Sequence, residues 1–188
     1  MANYTEILFQ KMLEYEYLGL QTDEDGSVFI GKAPHIAPKA WLHKKYRKLS
    51  IIEIDELGEK VQIEIPIIYK EFLNVFSNGL NLFSDSLSLD GLRSNYNRDI
   101  DIASKQPYSI ITPNITERFT DASSDMFFFG GYCLDGSLLY FRGIKIYKCA
   151  RYTVKPTFEW NSFEEMILLE FDRLALLFDK DGKEIEVN

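Results

Sequence analysis

The sequence predicts an α+β domain in which an antiparallel β-meander is flanked by helices. Three observations predict it. Apolar residues recur at helical spacing as far as residue 79, and from there to about residue 151 they fall in short β-rich runs broken by turn residues. Within those runs FFFGGYCLDGSLLYF places Asp135-Gly136 between two apolar stretches, a hairpin signature, and Arg142-Gly143 follows as a second tight turn. The sheet region gives way to WNSFEEMILLEFDRLALLF, which returns to a helical period. With 188 residues, of which 46% are hydrophobic and 14% aromatic, the chain has enough apolar surface for one sizeable core in one domain.

Taken in order, Thr5 is placed to cap a first helix reaching about residue 18, with Ile7, Leu8, Met12 and Leu13 as its apolar stripe. Asp23-Glu24-Asp25-Gly26 reads as a turn into a strand over 28–30. Pro34 and Pro38 rule out a long helix in the segment that follows. Residues 39–48, KAWLHKKYRK, read as a basic, aromatic helix carrying Trp41, Leu42 and Tyr46 inward. Residues 1–48 are therefore expected to be an N-terminal helical extension packed on a domain of residues 49–188. A short helix over 50–57 comes next, although Ile51, Ile52 and Ile54 also suit a strand.

Residues 65–79 carry both helix-end signals: Pro66 suits a first turn and Asn78-Gly79 a left-handed stop. Between them Ile68, Phe72, Val75 and Phe76 form an apolar face that Tyr69 and Leu73 widen. Strands are expected over 86–92, 108–112, 126–132, 137–141 and 145–151, with Gly130-Gly131 marking a bulge or close packing. The polar connection 93–107 has the length of a functional loop. Ser162 and Glu165 form a capping box for the last helix, whose core stripe is Phe163, Ile167, Phe171, Leu174 and Phe178. Asp181-Gly182 ends it, leaving a tail that frays or adds a short edge strand.

Twenty-nine acidic against twenty-one basic side chains give a net charge of −8, which opposes nucleic-acid binding and favours basic partners. The first residues lack the features of a signal peptide and no stretch is long enough to span a membrane, so a cytoplasmic protein is expected. Cys133 and Cys149 are expected as reduced core thiols in neighbouring strands. Asn114-Ile115-Thr116 matches a glycosylation sequon, of little weight without a secretion signal. His35 and His43 read as surface imidazoles, and no motif suggests a metal or any other cofactor. No nucleophile elbow, phosphate loop or dinucleotide fingerprint occurs. The acidic clusters 23–25, 53–59 and 99–101 read as solvated faces; a hydrolase built from them is the remaining enzymatic alternative. Lys44, Lys45 and Lys48 are expected to pair with the acidic segment after Ser50.

The segment Ile65-Pro66, Tyr69-Lys70, Phe72-Leu73, Asn78-Gly79 resembles the opening motif of the SUKH superfamily, which includes the fungal Smi/Knr regulators of cell-wall synthesis and many bacterial immunity proteins of polymorphic toxin systems. Ile54-Asp55-Glu56-Leu57-Gly58, Leu87-Ser88-Leu89-Asp90-Gly91-Leu92, the FFFGGYCLDGSLLYF turn and the WNSFEEMILLEF helix agree with it in order, so the resemblance covers residues 49–178. It implies a curved antiparallel sheet flanked by helices and a non-enzymatic role in binding another protein, most often a toxin, commonly a nuclease. A regulatory scaffold without a toxin is the alternative it allows. Residues 1–48 and the loop 93–107 have no counterpart in the minimal family domain. Together with the hairpin they supply the expected partner-binding residues: Tyr96, Arg98, Asp99, Asp101 and Asp135.

Overall fold

The computed structural model describes residues 3–96 and 99–185, the side chains of residues 100 and 101 excepted. Nine strands form one antiparallel sheet whose spatial order is the order of the sequence: β1 Leu20–Thr22, β2 Val28–Lys32, β3 Trp41–Lys45, β4 Leu80–Leu82, β5 Leu87–Leu89, β6 Met126–Gly131, β7 Leu138–Arg142, β8 Lys145–Cys149 and β9 Pro156–Trp160. Helices α1 Tyr4–Leu13, α2 Ile51–Val61, α3 Ile67–Val75, α4 Ile100–Ala103 and α5 Phe163–Ala175 complete an α+β single domain.

The predicted turns make the meander. Asp135-Gly136 links β6 to β7 and Arg142-Gly143 links β7 to β8, with Gly136 and Gly143 at φ +67° and +63°, conformations that favour glycine. β6 is buried along its whole length. Phe127 and Phe129 join the main core, whereas Met126 and Phe128 join a second cluster with Tyr140 and Cys149, so the unbroken apolar run reflects a strand covered on both faces. The expected bulge is present: the register shifts between Phe128 and Gly130. A Cβ on Gly130 would lie 2.2 Å from the Ser88 carbonyl oxygen.

The core is aromatic around Tyr69. Its ring lies 5.3 to 5.9 Å from those of Phe72, Phe127, Phe129, Phe141 and Phe163, joining α3, β6, β7 and α5. Each such ring removed from water stabilises the fold by about 1.5–3 kcal/mol, with about 0.5–1.5 kcal/mol more for edge and offset contacts.

Several expectations are corrected. Residues 41–45 are strand β3, not helix: pairing with β2 on one side and β4 on the other overrides the helical leaning of a lysine-rich segment. The first 48 residues therefore supply one α-helix, a 3₁₀ turn at Glu16–Leu18 and three strands of the common sheet. α1 is capped by Asn3, which forms a capping box with Glu6, and stops at Leu13. α2 runs through Gly58 to Val61 and ends at a left-handed Gln62. In α3 Pro66 is the N-cap, the buried face is Tyr69, Phe72, Leu73 and Phe76, and Val75 is exposed. No strand covers 108–112; a single parallel bridge joins Ser109 to Gly91, and a π-helical turn, Thr112–Thr116, follows. There the Asn114 side chain donates to the carbonyls of Ile110 (2.8 Å) and Phe128 (2.6 Å) and accepts from the Phe128 amide (2.9 Å), which leaves it fully buried and engaged.

At α5 half of the expected capping box forms. Ser162 accepts from the Glu165 amide at 3.1 Å, but Glu165 accepts from the Asn161 amide at 2.7 Å. The helix ends at Ala175, and Phe178 then bridges Glu184 as the short edge pair. The cysteines separate: Cys149 is buried, its thiol pushed up to about 11 by burial, whereas Cys133 is exposed in the hairpin beyond β6. His43 is fully buried rather than exposed.

Candidate functional site

Three of the segments quoted for the family resemblance, 65–79, 87–92 and the strand containing Phe129, meet at one place. The Tyr69 hydroxyl donates to the carbonyl oxygen of Asp90 (2.5 Å) and lies 3.2 Å from that of Phe129. The Asn78 side chain brackets Leu92, donating to its carbonyl at 2.9 Å and accepting from its amide at 2.6 Å. A Cβ on Gly91 would stand 2.3 Å from Asn78 Oδ1, so only glycine allows this approach. The helix α3, its exit at Asn78 and the end of β5 are thereby fixed to one another, and the loop 93–107 leaves from this fixed point.

That loop is folded on itself by Gln106. Its Oε1 accepts from the amides of Ser94 (3.0 Å) and Asn95 (2.8 Å), and its Nε2 donates to the carbonyl oxygens of Asn95 (3.2 Å) and Ile102 (3.3 Å). Arg93 donates to the Pro107 carbonyl at 3.2 Å and its guanidinium stands 5.8 Å from the Tyr96 ring. Lys105 bonds Asp23 at 2.6 Å, holding that carboxyl below its usual range and tying the loop to the β1–β2 turn.

Among the expected partner-binding residues, Tyr96 is 64% exposed and its hydroxyl lies 2.9 Å from Ser109 Oγ. Asp99 accepts from the Ile102 amide at 3.4 Å in the first turn of α4. Arg98 and the side chain of Asp101 lie outside the described residues. Asp135 builds its own turn: it accepts from the Ser137 amide at 2.9 Å and from the Ser137 hydroxyl, and pairs with Lys148 at 3.1 Å. Next to it Leu134 is 91% exposed.

Neighbours of both expected regions line one cleft of about 320 Å³, although Tyr96, Asp99 and Asp135 themselves are not among its lining residues. Tyr108 and Ser109 enter it from the end of the loop, and Gly136 enters from the Asp135 turn. Asp90, 8% exposed, lies at its floor; Glu117, Arg151 and Tyr152 stand at its mouth. Among the described residues no hydrogen bond reaches the Asp90 carboxylate, and burial raises its pKa to about 7. Burial likewise pushes the Tyr108 hydroxyl up to about 12, with Asp85 adding to the effect. Tyr152 has φ +67°, a costly conformation for a bulky residue, and Arg151 lies 4.7 Å over its ring. In the sequence Asp90 figures only as part of the 87–92 segment of the family resemblance, with no site role. A carboxylate following a buried strand gives no signal of its own burial.

The remaining charged groups are mostly occupied. Arg47, not the lysines, takes the acidic segment, binding both Glu53 oxygens at 3.1 and 2.5 Å and holding that carboxyl at about 2. Lys44 lies 3.7 Å from Asp85, and Lys45 stands 5.4 Å over the Phe76 ring. His43 is packed among Tyr15, Phe83 and Phe171, with neither ring nitrogen hydrogen-bonded; burial depresses its pKa to about 3, so it is neutral. His35 lies 3.0 Å from the Gly182 carbonyl oxygen. A larger apolar groove of about 670 Å³ runs between α3, the β7–β8 turn and the start of α5, where Ile67 and Ile144 are exposed. Among the described residues no helix is long and apolar enough to cross a membrane, and no group of three or more His, Cys, Asp or Glu side chains is placed to hold a metal ion.

The fold class is thus an α+β single domain around an antiparallel meander. No protein-family model matches the chain, and no curated protein is significantly similar to it.

Proposed function

We propose that this chain is a SUKH-type, non-enzymatic protein-binding domain that acts as an immunity factor, neutralising a toxin domain by direct contact. The observation that carries the reading is the composition of the surface around the Asp90 cleft. Tyr152 lines the cleft and is 76% exposed; Tyr96 and Leu134, 64% and 91% exposed, lie on the neighbouring loop and turn, whose backbones are held by side-chain hydrogen bonds. Large aromatic and aliphatic side chains on pre-ordered loops are the composition of binding hot spots, because little entropy is lost when they dock. The convergence of Tyr69, Asn78, Asp90 and Gly91 supports the family resemblance, since the motif residues act as one framework. The net charge of −8 speeds encounter with a basic partner such as a nuclease.

Co-expression tests it. A toxin encoded beside this gene is expected to kill cells without the protein and to be tolerated with it. The double variant Leu134→Ser, Tyr152→Ser is expected to fold and to lose protection. Equal killing with and without the wild-type protein would exclude immunity to that toxin.

A further inference from the structure

We propose that the cleft floored by Asp90 is a binding site for an alkylammonium group, the tip of a lysine side chain presented by a protein partner. The floor carries a carboxylate on a residue more than nine-tenths buried, and among the described residues no hydrogen bond or ion pair reaches it; the one cation lining the cleft, Arg151, stands exposed at the mouth, so burial of this group is not offset by a direct partner. An ammonium supplies that partner, with three donors for the carboxylate and for the other acceptors lining the cleft. Tyr108 also lines the cleft, and Glu117 adds negative charge at the entrance. Arg151, exposed at the mouth and held over Tyr152, is placed to donate to a carbonyl of a peptide backbone that remains outside while its side chain enters. The exposures order these roles, from buried Asp90 and Ser109 to exposed Arg151, Tyr152 and Glu117.

The proposal rests on the protein-binding reading only for the source of the ammonium. Its test needs no partner. Amide resonances of the isotope-labelled protein are followed while N-acetyl-lysine N-methylamide is added, with the norleucine analogue, which lacks the amine, as control. Saturable shifts at Asp90, Tyr108 and Ser109 are expected with the lysine probe alone, at a Kd on the order of millimolar for so small a ligand. Asp90→Asn, which keeps the side-chain shape, is expected to weaken binding roughly tenfold or more.

A wild-type pH series stands independently of that variant. Affinity should rise by up to about tenfold per pH unit below neutrality and level off above it, as the carboxylate becomes charged without ligand. The other titratable or charged groups around Asp90 are Tyr69 from α3, Tyr108 with Asp85 beside it, Glu117, Arg151 and Tyr152. Equal shifts with both probes, no shift at saturating lysine probe, or affinity that ignores both pH and Asp90→Asn would overturn the site. n-Butylammonium binding as tightly as the lysine probe would overturn the protein source. A silent cleft leaves the co-expression result unaffected, and failed protection leaves the titration unaffected, so the two readings fail separately.

Discussion

His43→Leu is expected to stabilise this protein, and to do so more at pH 5.0 than at pH 7.5. In the folded chain His43 is wholly buried between aromatic rings, and neither of its nitrogens has a partner. Leucine fills a similar space without the unsatisfied donor and acceptor, a gain of about 1–2 kcal/mol at pH 7.5, after allowing for imperfect packing. The pH term is separate. The unfolded imidazole takes up a proton near 6.5, whereas the folded one resists protonation to about 3. Between those values the unfolded state binds the extra proton, so the stability contribution present above 6.5 is lost as pH falls. At pH 5.0 the loss is about 1.5 units at 1.36 kcal/mol each, roughly 2 kcal/mol. Asp90 works in the opposite sense, because its raised pKa gives a contribution that is fully present below 3.8 and is lost as pH rises to about 7. It is present in both proteins and cancels when they are compared at each pH. Urea unfolding of the two chains at both pH values measures the quantity. An advantage that fails to grow by about 2 kcal/mol on acidification, or a variant less stable than wild type at pH 7.5, would refute the reasoning.

Tyr69→Phe should cost about 1–3 kcal/mol, since the buried carbonyls of Asp90 and Phe129 lose a shared donor, and should lower the melting temperature by several degrees. Gly130→Ala should exceed that and shift or abolish the cooperative transition, because its methyl would stand 2.2 Å from the Ser88 carbonyl oxygen. Asp135→Ala should destabilise by about 1–2 kcal/mol in chemical denaturation, as it removes the acceptor for both Ser137 groups and the Lys148 pair. Lys105→Ala should change global stability by less than about 1 kcal/mol, the range of an exposed ion pair, yet raise amide exchange around residues 102–106, which hydrogen-exchange mass spectrometry reads directly.

Local signals with a definite geometry were legible in the sequence. The Asp135-Gly136 and Arg142-Gly143 turns, the Gly130 bulge and the helices α3 and α5 each follow from residues whose backbone or periodic preference leaves little choice. What was not legible depends on partners distant in sequence. β3 is a strand because β2 and β4 receive it, β1 and β4 are too short to show an alternation of their own, and β9 is exposed along its first four residues and so carries no alternating pattern. The segment 108–112 has strand composition, but the Asn114 side chain reaches the Phe128 backbone and the chain turns. For the candidate site, loop length and turn chemistry pointed to Tyr96 and Asp135, which neighbour cleft residues without lining the cleft themselves. They did not indicate the floor of the cleft, since burial of Asp90 is a property of the assembled sheet.

A sheet whose spatial order is its sequence order also has a history written into it. As the chain leaves the ribosome, each new strand has a single seat, the open edge of the strand made just before it, and no later strand has to be threaded between two earlier ones. One part must wait. α1 is made first but rests on α5, through Lys11 and Asp172 at 2.7 Å and the rings of Tyr4 and Phe163 at 6.0 Å. Leu8 and Met12, wholly buried in the finished fold, lie on that helix, so part of its cover comes last. Synthesis that stalls within the sheet leaves a sticky N-terminal helix beside an unfilled β edge, so the arrival of α5 closes the interval in which this chain is most exposed to aggregation.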